Sequence, residues 1–215
     1  MAAEKTPNIT FPTPESLSDW LKTRLQPDAF ASWGIKPGTK NVYNLWIELT
    51  EGESKISDTT PPICTVNCAV VRILSQDNKK ILLESHQELS DGSTRQRSRP
   101  LSEKMKEGKK IEDAASRAVK EELGGLGNLV MKILPDSCEI KEENRESGLF
   151  PALASVYVVH TVDAHVEGLG ADVGEFYTEE EEYKDCGGLN GAVEKAVHVK
   201  KHYWKWVDLD HVVGV

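Results

Sequence analysis

Apolar residues recur at helical spacing in two parts of the chain. The first predicted helix is capped by Ser16 or Ser18, ends at Pro27, and has an apolar stripe of Leu17, Trp20, Leu21 and Leu25. The second, Ile111–Leu123, has the clearest pattern, because Glu112 and Asp113 favour its start and two glycines follow its end. Its apolar stripe comprises Ile111, Ala115, Ala118, Val119 and Leu123. A shorter helix is predicted near residues 191–198.

Continuous apolar and β-branched runs predict strands between and around these helices. The predicted strands cover residues 42–49, 64–74, 81–89, 129–134, 152–162 and 202–207. The polar residues 77–80 have the length of a hairpin turn, and the Gly/Ser/Arg-rich segment after residue 89 is predicted as a loop. Strands mixed with helices predict an α/β or α+β fold.

Breaker residues and changes of composition divide the chain into three parts. We predict a disordered tail over residues 1–14, which contain three prolines. A helix-strand extension with its polar linker would cover residues 15–62, and the main domain residues 63–211. No internal repeat is present in the sequence.

Charge and hydropathy exclude several classes of function. The chain has 215 residues and a net charge of −9, so duplex DNA is a poor partner. No apolar run approaches the roughly 20 residues that span a bilayer, which argues against an integral membrane protein. The N-terminal residues lack the pattern of a signal or transit peptide, so we expect a cytoplasmic protein, with an organellar location left open. A homodimer or a protein partner also stays open.

Cysteine and histidine spacings give weaker signals. The four cysteines form no C-x-x-C pair and are typical of reduced structural thiols in a cytosol-like compartment. His198 and His202 are four residues apart, which on a helix would bring two imidazoles together for a metal, but no third ligand is evident.

The segment of residues 94–110 is strongly basic on an acidic chain. Seven basic residues stand there against two glutamates, a local charge of +5, and the segment leads into the N-terminus of the second predicted helix. We expect phosphate contacts from a set of five of them: Lys109, Lys110, Arg95, Arg97 and Arg99. The alternative is a solvated basic loop that the acidic segments neutralise.

Residues 100–125, PLSEKMKEGKKIEDAASRAVKEELGG, resemble the Nudix box without a gap. The matching positions of the box proper are Arg117, Val119, Glu121, Glu122 and Gly124. The resemblance implies a Nudix-type α/β/α sandwich with a mixed sheet over residues 63–211. It also implies Mg²⁺- or Mn²⁺-dependent hydrolysis of a nucleoside diphosphate linked to another group. Glu121 and Glu122 would bind the metal, and Glu122 and Arg117 would be the catalytic residues.

Three departures from the box affect its catalytic machinery. Glu103 stands at the opening glycine, Lys109 at the first glutamate, and Ala118 at the glutamate after the arginine. Loss of the two carboxylates at Lys109 and Ala118 predicts weak or lost hydrolase activity and weak or absent metal binding. The glutamates of residues 179–182 could supply a carboxylate, although such runs are more often solvated loops. The alternative function is a non-catalytic nucleotide- or RNA-binding, or protein-interaction, module on this fold.

Overall fold

The computed structural model describes residues 9–171, 174–179 and 190–212 of the chain. Their secondary structure is α+β. The helices are α1 (Pro14–Lys22), α2 (Pro27–Ala31), α3 (Val42–Thr50), α4 (Ile111–Leu123) and α5 (Asn190–Val193). The strands are β1 (Ser54–Ile56), β2 (Ile63–Ile73), β3 (Lys80–Leu89), β4 (Thr94–Arg99), β5 (Leu101–Lys104), β6 (Val130–Ile133), β7 (Glu139–Glu146), β8 (Ala154–Glu167), β9 (Phe176–Glu179) and β10 (Val199–Asp208). Among the described residues, no helix is both long and apolar enough to cross a membrane.

The strands form two sheets. In the larger sheet the order is β1-β2-β8-β6, with β5 also paired to β2 and β7 also paired to β8. In the smaller sheet the order is β4-β3-β10-β9, and its neighbouring strands are antiparallel. A tight turn lies at the predicted position between β2 and β3, where Asn78 has a positive φ of 55° and Leu74 bridges Ile81. The two strands then belong to different sheets, so the turn does not lead into a regular hairpin.

The chain forms two compact units, each built from separate segments. One unit contains residues 1–67, 142–158 and 184–197, and the other contains residues 68–141, 159–183 and 198–215. Residues 1–8 of the predicted tail lie outside the described residues. Within that tail, Pro14 is the first residue of α1 rather than part of an irregular segment.

The first unit contains a helix where a strand was expected. Residues 42–49 fall within α3, because the side chains of Asn41 and Asn44 cap each other's backbone N–H groups and so start a helix. Asn44 also donates to the carbonyl of Val197 at 2.8 Å and accepts from the N–H of that residue at 3.0 Å. The predicted extension is therefore helical where it was expected to be extended. At α1, the cap is Thr13 rather than Ser16 or Ser18.

The second unit has its core around α4, whose bounds agree with the prediction. Three alanines of this helix, Ala114, Ala115 and Ala118, are buried, so the helix backbone packs closely against its neighbours. Val71, Leu82, Val162 and Trp204 pack in the same core and come from both sheets. α4 therefore packs against strands that are far apart in sequence.

Two segments that looked irregular in the sequence are strands. The predicted loop after residue 89 contains β4 and β5, which pair with β3 and β2. β7 was not predicted, because all eight of its residues are exposed and no apolar alternation marks it. Six of these eight residues are charged.

Candidate functional site

A buried polar cluster lies where the smaller sheet meets α4. His202 on β10 is opposite Gln87 on β3, and Trp204 is opposite Glu84, so these four side chains share one face of the sheet. The registers shift after Glu84 in the β3–β4 pair and after Tyr203 in the β3–β10 pair. These bulges let Glu84 and Gln87, three residues apart, both face inwards.

Three ligand-type side chains meet in this cluster. His202 Nδ1 lies 2.6 Å from Glu84 Oε1 and 3.3 Å from Glu122 Oε2 of α4. The three atoms that these side chains can offer to a metal all lie within 4.8 Å of one another. Their side chains are only 2–9% exposed. The cluster therefore brings two carboxylates and one imidazole together inside the second unit.

Arg97 on β4 holds the second oxygen of Glu84. Its Nε donates to Glu84 Oε2 at 2.8 Å, and its side chain is 10% exposed. Burial alone would raise the pKa of Glu84, but the hydrogen bond from His202 and the positive charge of Arg97 outweigh burial. The pKa of this carboxyl group therefore lies below its ordinary value. At neutral pH Glu84 is a carboxylate with both oxygens engaged.

A second set of contacts fixes Glu122 relative to the sheet. The hydroxyl of Thr178 on β9 donates to the backbone carbonyl of Glu122 at 2.5 Å. The hydroxyl oxygen of Thr178 also accepts a hydrogen bond from the indole N–H of Trp204 at 2.8 Å. Because all three residues are buried, these bonds orient the last turn of α4 against β9 and β10.

The residues of the Nudix resemblance face different surroundings. Arg117 Nη2 donates to Glu103 Oε1 at 2.9 Å, and its Nε lies 4.0 Å from Glu121 Oε2. The Glu121 side chain is 49% exposed, whereas Glu122 is buried beside His202. Ala118 is fully buried in the apolar core. The box resemblance implies that positions 118, 121 and 122 face one metal, whereas their side chains lie in three different surroundings.

The five predicted phosphate-binding residues divide into two groups. Arg97 pairs with Glu84, and Arg95 donates to Gln87 Oε1 from both Nε and Nη2. The side chains of Arg99, Lys109 and Lys110 have no hydrogen-bond or ion-pair partner among the described residues, and Arg99 Nε is buried. Ser98 next to Arg99 has a φ of 52°, a left-handed conformation that is uncommon for serine.

The two histidines with helical spacing, His198 and His202, do not form a pair. Helix α5 ends at Val193, so His198 and His202 are not on one helix face. His198 is exposed before β10, whereas His202 is buried. Their helical spacing was a coincidence of sequence. Cys64, Cys68 and Cys138 are free thiols, and Cys186 lies outside the described residues.

Sequence reasoning missed Glu84 and the role of His202. One signal was present for each: Glu84 follows three apolar residues of a buried strand, and His202 alternates with Trp204 on the inner face of β10. A charged side chain inside an apolar run requires a buried partner. Which residue is the partner of Glu84 depends on the pairing of β3 with β10, which the sequence does not reveal.

A scan against protein-family models finds no match to this chain, and a search of curated proteins finds none either. The Nudix resemblance therefore depends only on the residues of the box.

Proposed function

We propose that the chain is a Nudix-like protein that binds a nucleoside diphosphate-linked ligand, or another diphosphate, and hydrolyses it weakly or not at all. The finer assignment of residues 63–211 as a Nudix-type sandwich is part of this proposal. The observation that carries it is that Arg99, Lys109 and Lys110 have no acidic partner among the described residues.

The three cations lie in one stretch of the second unit, around β5 and immediately before α4. Lys109 and Lys110 are exposed, and Lys110 is the cap residue of α4 without a side-chain hydrogen bond. The first N–H groups of the helix and its dipole add to their attraction for an anion. On a chain of net charge −9, cations without an acidic partner in the described part of the chain support a local anion-binding role.

The surroundings of the box residues support weak or lost hydrolysis. Glu122 is beside His202 and Glu121 is near Arg117, so neither carboxylate is held for a Mg²⁺ ion alone. The position of the third box carboxylate, Ala118, is within the apolar core. Ammonium groups would then supply most of the charge that neutralises the ligand phosphates.

The test is calorimetric binding of ADP and ADP-ribose, with EDTA and separately with Mg²⁺. We expect binding to survive EDTA, to weaken with salt, and to fall at least about ten-fold in a Lys109→Ala/Lys110→Ala variant. Lys79→Ala/Lys132→Ala removes the same charge elsewhere on the second unit and should leave affinity within about two-fold.

A parallel hydrolysis screen with Mg²⁺ and Mn²⁺ covers dinucleotide polyphosphates, nucleotide sugars, NADH, ADP-ribose and oxidised deoxynucleotides. We expect slow or undetectable turnover, and none in Glu122→Gln. Binding that disappears with EDTA, together with rapid turnover, would show a metal-dependent hydrolase. Absence of binding by every nucleotide tested would refute the proposal and favour a protein-interaction module.

A further inference from the structure

We propose that Glu84, Glu122 and His202 form a binding site for a divalent transition-metal ion, with Zn²⁺ as the best-fitting cation. The site differs from the metal site that the box resemblance implies, because Glu121 is not part of it. It shares Glu122 with the implied hydrolase site, but none of its three residues is among those proposed to contact phosphate.

The distances within the cluster are close to those of a coordination shell. Bonds of about 2.0–2.1 Å in tetrahedral geometry separate two ligand atoms by about 3.3 Å. His202 Nδ1 and Glu122 Oε2 already lie 3.3 Å apart. His202 Nδ1 and Glu84 Oε1, at 2.6 Å, are hydrogen-bonded and would separate by several tenths of an ångström around a metal.

The protons of the cluster give a reason for a cation at its centre. Nδ1 of His202 carries one proton at most, yet two carboxylate oxygens lie within 3.3 Å of it. A metal that replaces this proton can bind all three ligand atoms at once. The proton on Nδ1 would be released to solvent, and the lone pair that remains on Nδ1 would bind the metal.

The mixture of ligands selects the type of metal. Mg²⁺ prefers six oxygen ligands, several of them waters, whereas Zn²⁺ accepts imidazole nitrogen and carboxylate oxygen together. Three protein ligands leave a fourth position for water, as in catalytic zinc sites.

The surrounding side chains orient the ligands. Arg97 holds Glu84 through its other oxygen, and Thr178 holds the backbone of Glu122. Outer contacts of this kind fix ligating side chains before the metal arrives. They come from β4 and β9, so every strand of the smaller sheet contributes to the site.

The experiment is titration of the purified, EDTA-treated and dialysed full chain with Zn²⁺, and separately with Mg²⁺, in the absence of nucleotide. We expect one Zn²⁺ per chain by native mass spectrometry, and Zn²⁺ affinity at least about a hundred-fold above that for Mg²⁺. Glu84→Gln, Glu122→Gln and His202→Asn should each weaken Zn²⁺ binding at least ten-fold. The matched control is His211→Asn, which removes an exposed imidazole beside Asp208 and should leave affinity unchanged.

A spectroscopic measurement on the unmodified chain keeps the test valid if a variant fails to fold. The Co²⁺-loaded protein should show ligand-field bands without a thiolate charge-transfer band, because the proposed ligands are nitrogen and oxygen. Lack of Zn²⁺ binding by the unmodified chain would overturn the proposal and leave a self-contained ion-pair network. A thiolate band, or equal binding by folded variants and control, would overturn it too and place the metal elsewhere.

Discussion

Arg117 on α4 donates a hydrogen bond of 2.9 Å to Glu103 on β5. In the alignment that carries the Nudix resemblance, Arg117 falls at the arginine of the box, and Glu103 is the departure at its opening glycine. A carboxylate that replaces a glycine thus pairs with the arginine that the resemblance assigns to catalysis. Arg117 thus links α4 to β5 through this hydrogen bond.

We expect Glu103→Ala to lower the free energy of unfolding by about 1–2 kcal/mol, because it removes a partly buried, charge-assisted bond. Denaturant unfolding measures the change. Asp19→Ala is the control, since it breaks an exposed ion pair with Lys22 and should cost no more than about 0.5 kcal/mol. Equal losses in the two variants would show that the Arg117 contact adds nothing beyond a surface pair.

Restoring the missing box carboxylate at position 118 should destabilise the fold. Ala118 is fully buried among apolar side chains, so Ala118→Glu would introduce an uncompensated charge there. We expect a loss of about 3–5 kcal/mol in denaturant unfolding, or failure to fold. Lys109→Glu, on an exposed residue, should change stability by less than about 0.5 kcal/mol. A stable Ala118→Glu variant with increased Mg²⁺ affinity would contradict the packing of α4 described above.

Removal of the Thr178 hydroxyl should loosen the last turn of α4. Thr178→Val keeps the shape but leaves the indole N–H of Trp204 and the carbonyl of Glu122 without this partner. We expect the free energy of unfolding to fall by about 2–3 kcal/mol. Thr94→Val on the exposed start of β4 is the control and should be nearly neutral. Similar stabilities for the two variants would argue against a structural role for the buried hydroxyl.

The contribution of Glu84 to the stability of the metal-free chain should decrease as the pH falls. In the unfolded chain this carboxyl titrates near its ordinary pKa of 4.5, and in the folded chain its pKa is lower. Its contribution is therefore complete above pH 4.5 and is lost as the pH decreases through the folded pKa. Glu84→Gln lacks this contribution, so its stability deficit should shrink on acidification.

Unfolding experiments with EDTA between about pH 7 and pH 3.5 measure that deficit. At neutral pH it should be about 3–5 kcal/mol, because Arg97 is left buried opposite an amide. Glu167→Gln, at the exposed end of β8, serves as the control and should follow the unmodified chain at every pH. A deficit that stays constant on acidification would show that Glu84 is not the titrating group.

The sequence predicts best those elements that combine one buried face with strong end signals. Ile111–Leu123 has both, and its predicted bounds agree with α4. Residues 42–49 have the composition of a strand, but the reciprocal cap of Asn41 and Asn44 selects a helix. Local hydrogen bonds at one end of a segment thus outweighed its β propensity.

The candidate site was less predictable, because its members are distant in the chain. Glu122 was identified from the helix pattern, whereas Glu84 and His202 are brought to it by the pairing of β3 with β10. Two register shifts determine that Glu84 faces inwards. Bulges of this kind leave little trace in the alternation of residues, so the cluster becomes visible only in three dimensions.

The exposed strand β7 has a consequence for how copies of the chain meet. It pairs with β8 alone among the described strands, so its other edge offers backbone groups to a second molecule. In the centred antiparallel alignment of two such edges, Glu139 would oppose Glu146 and Glu142 would oppose Glu143. In the parallel alignment every charge would oppose its own copy. Repulsion between like charges therefore disfavours edge-to-edge pairing of two copies of β7, and it weakens as the salt concentration rises.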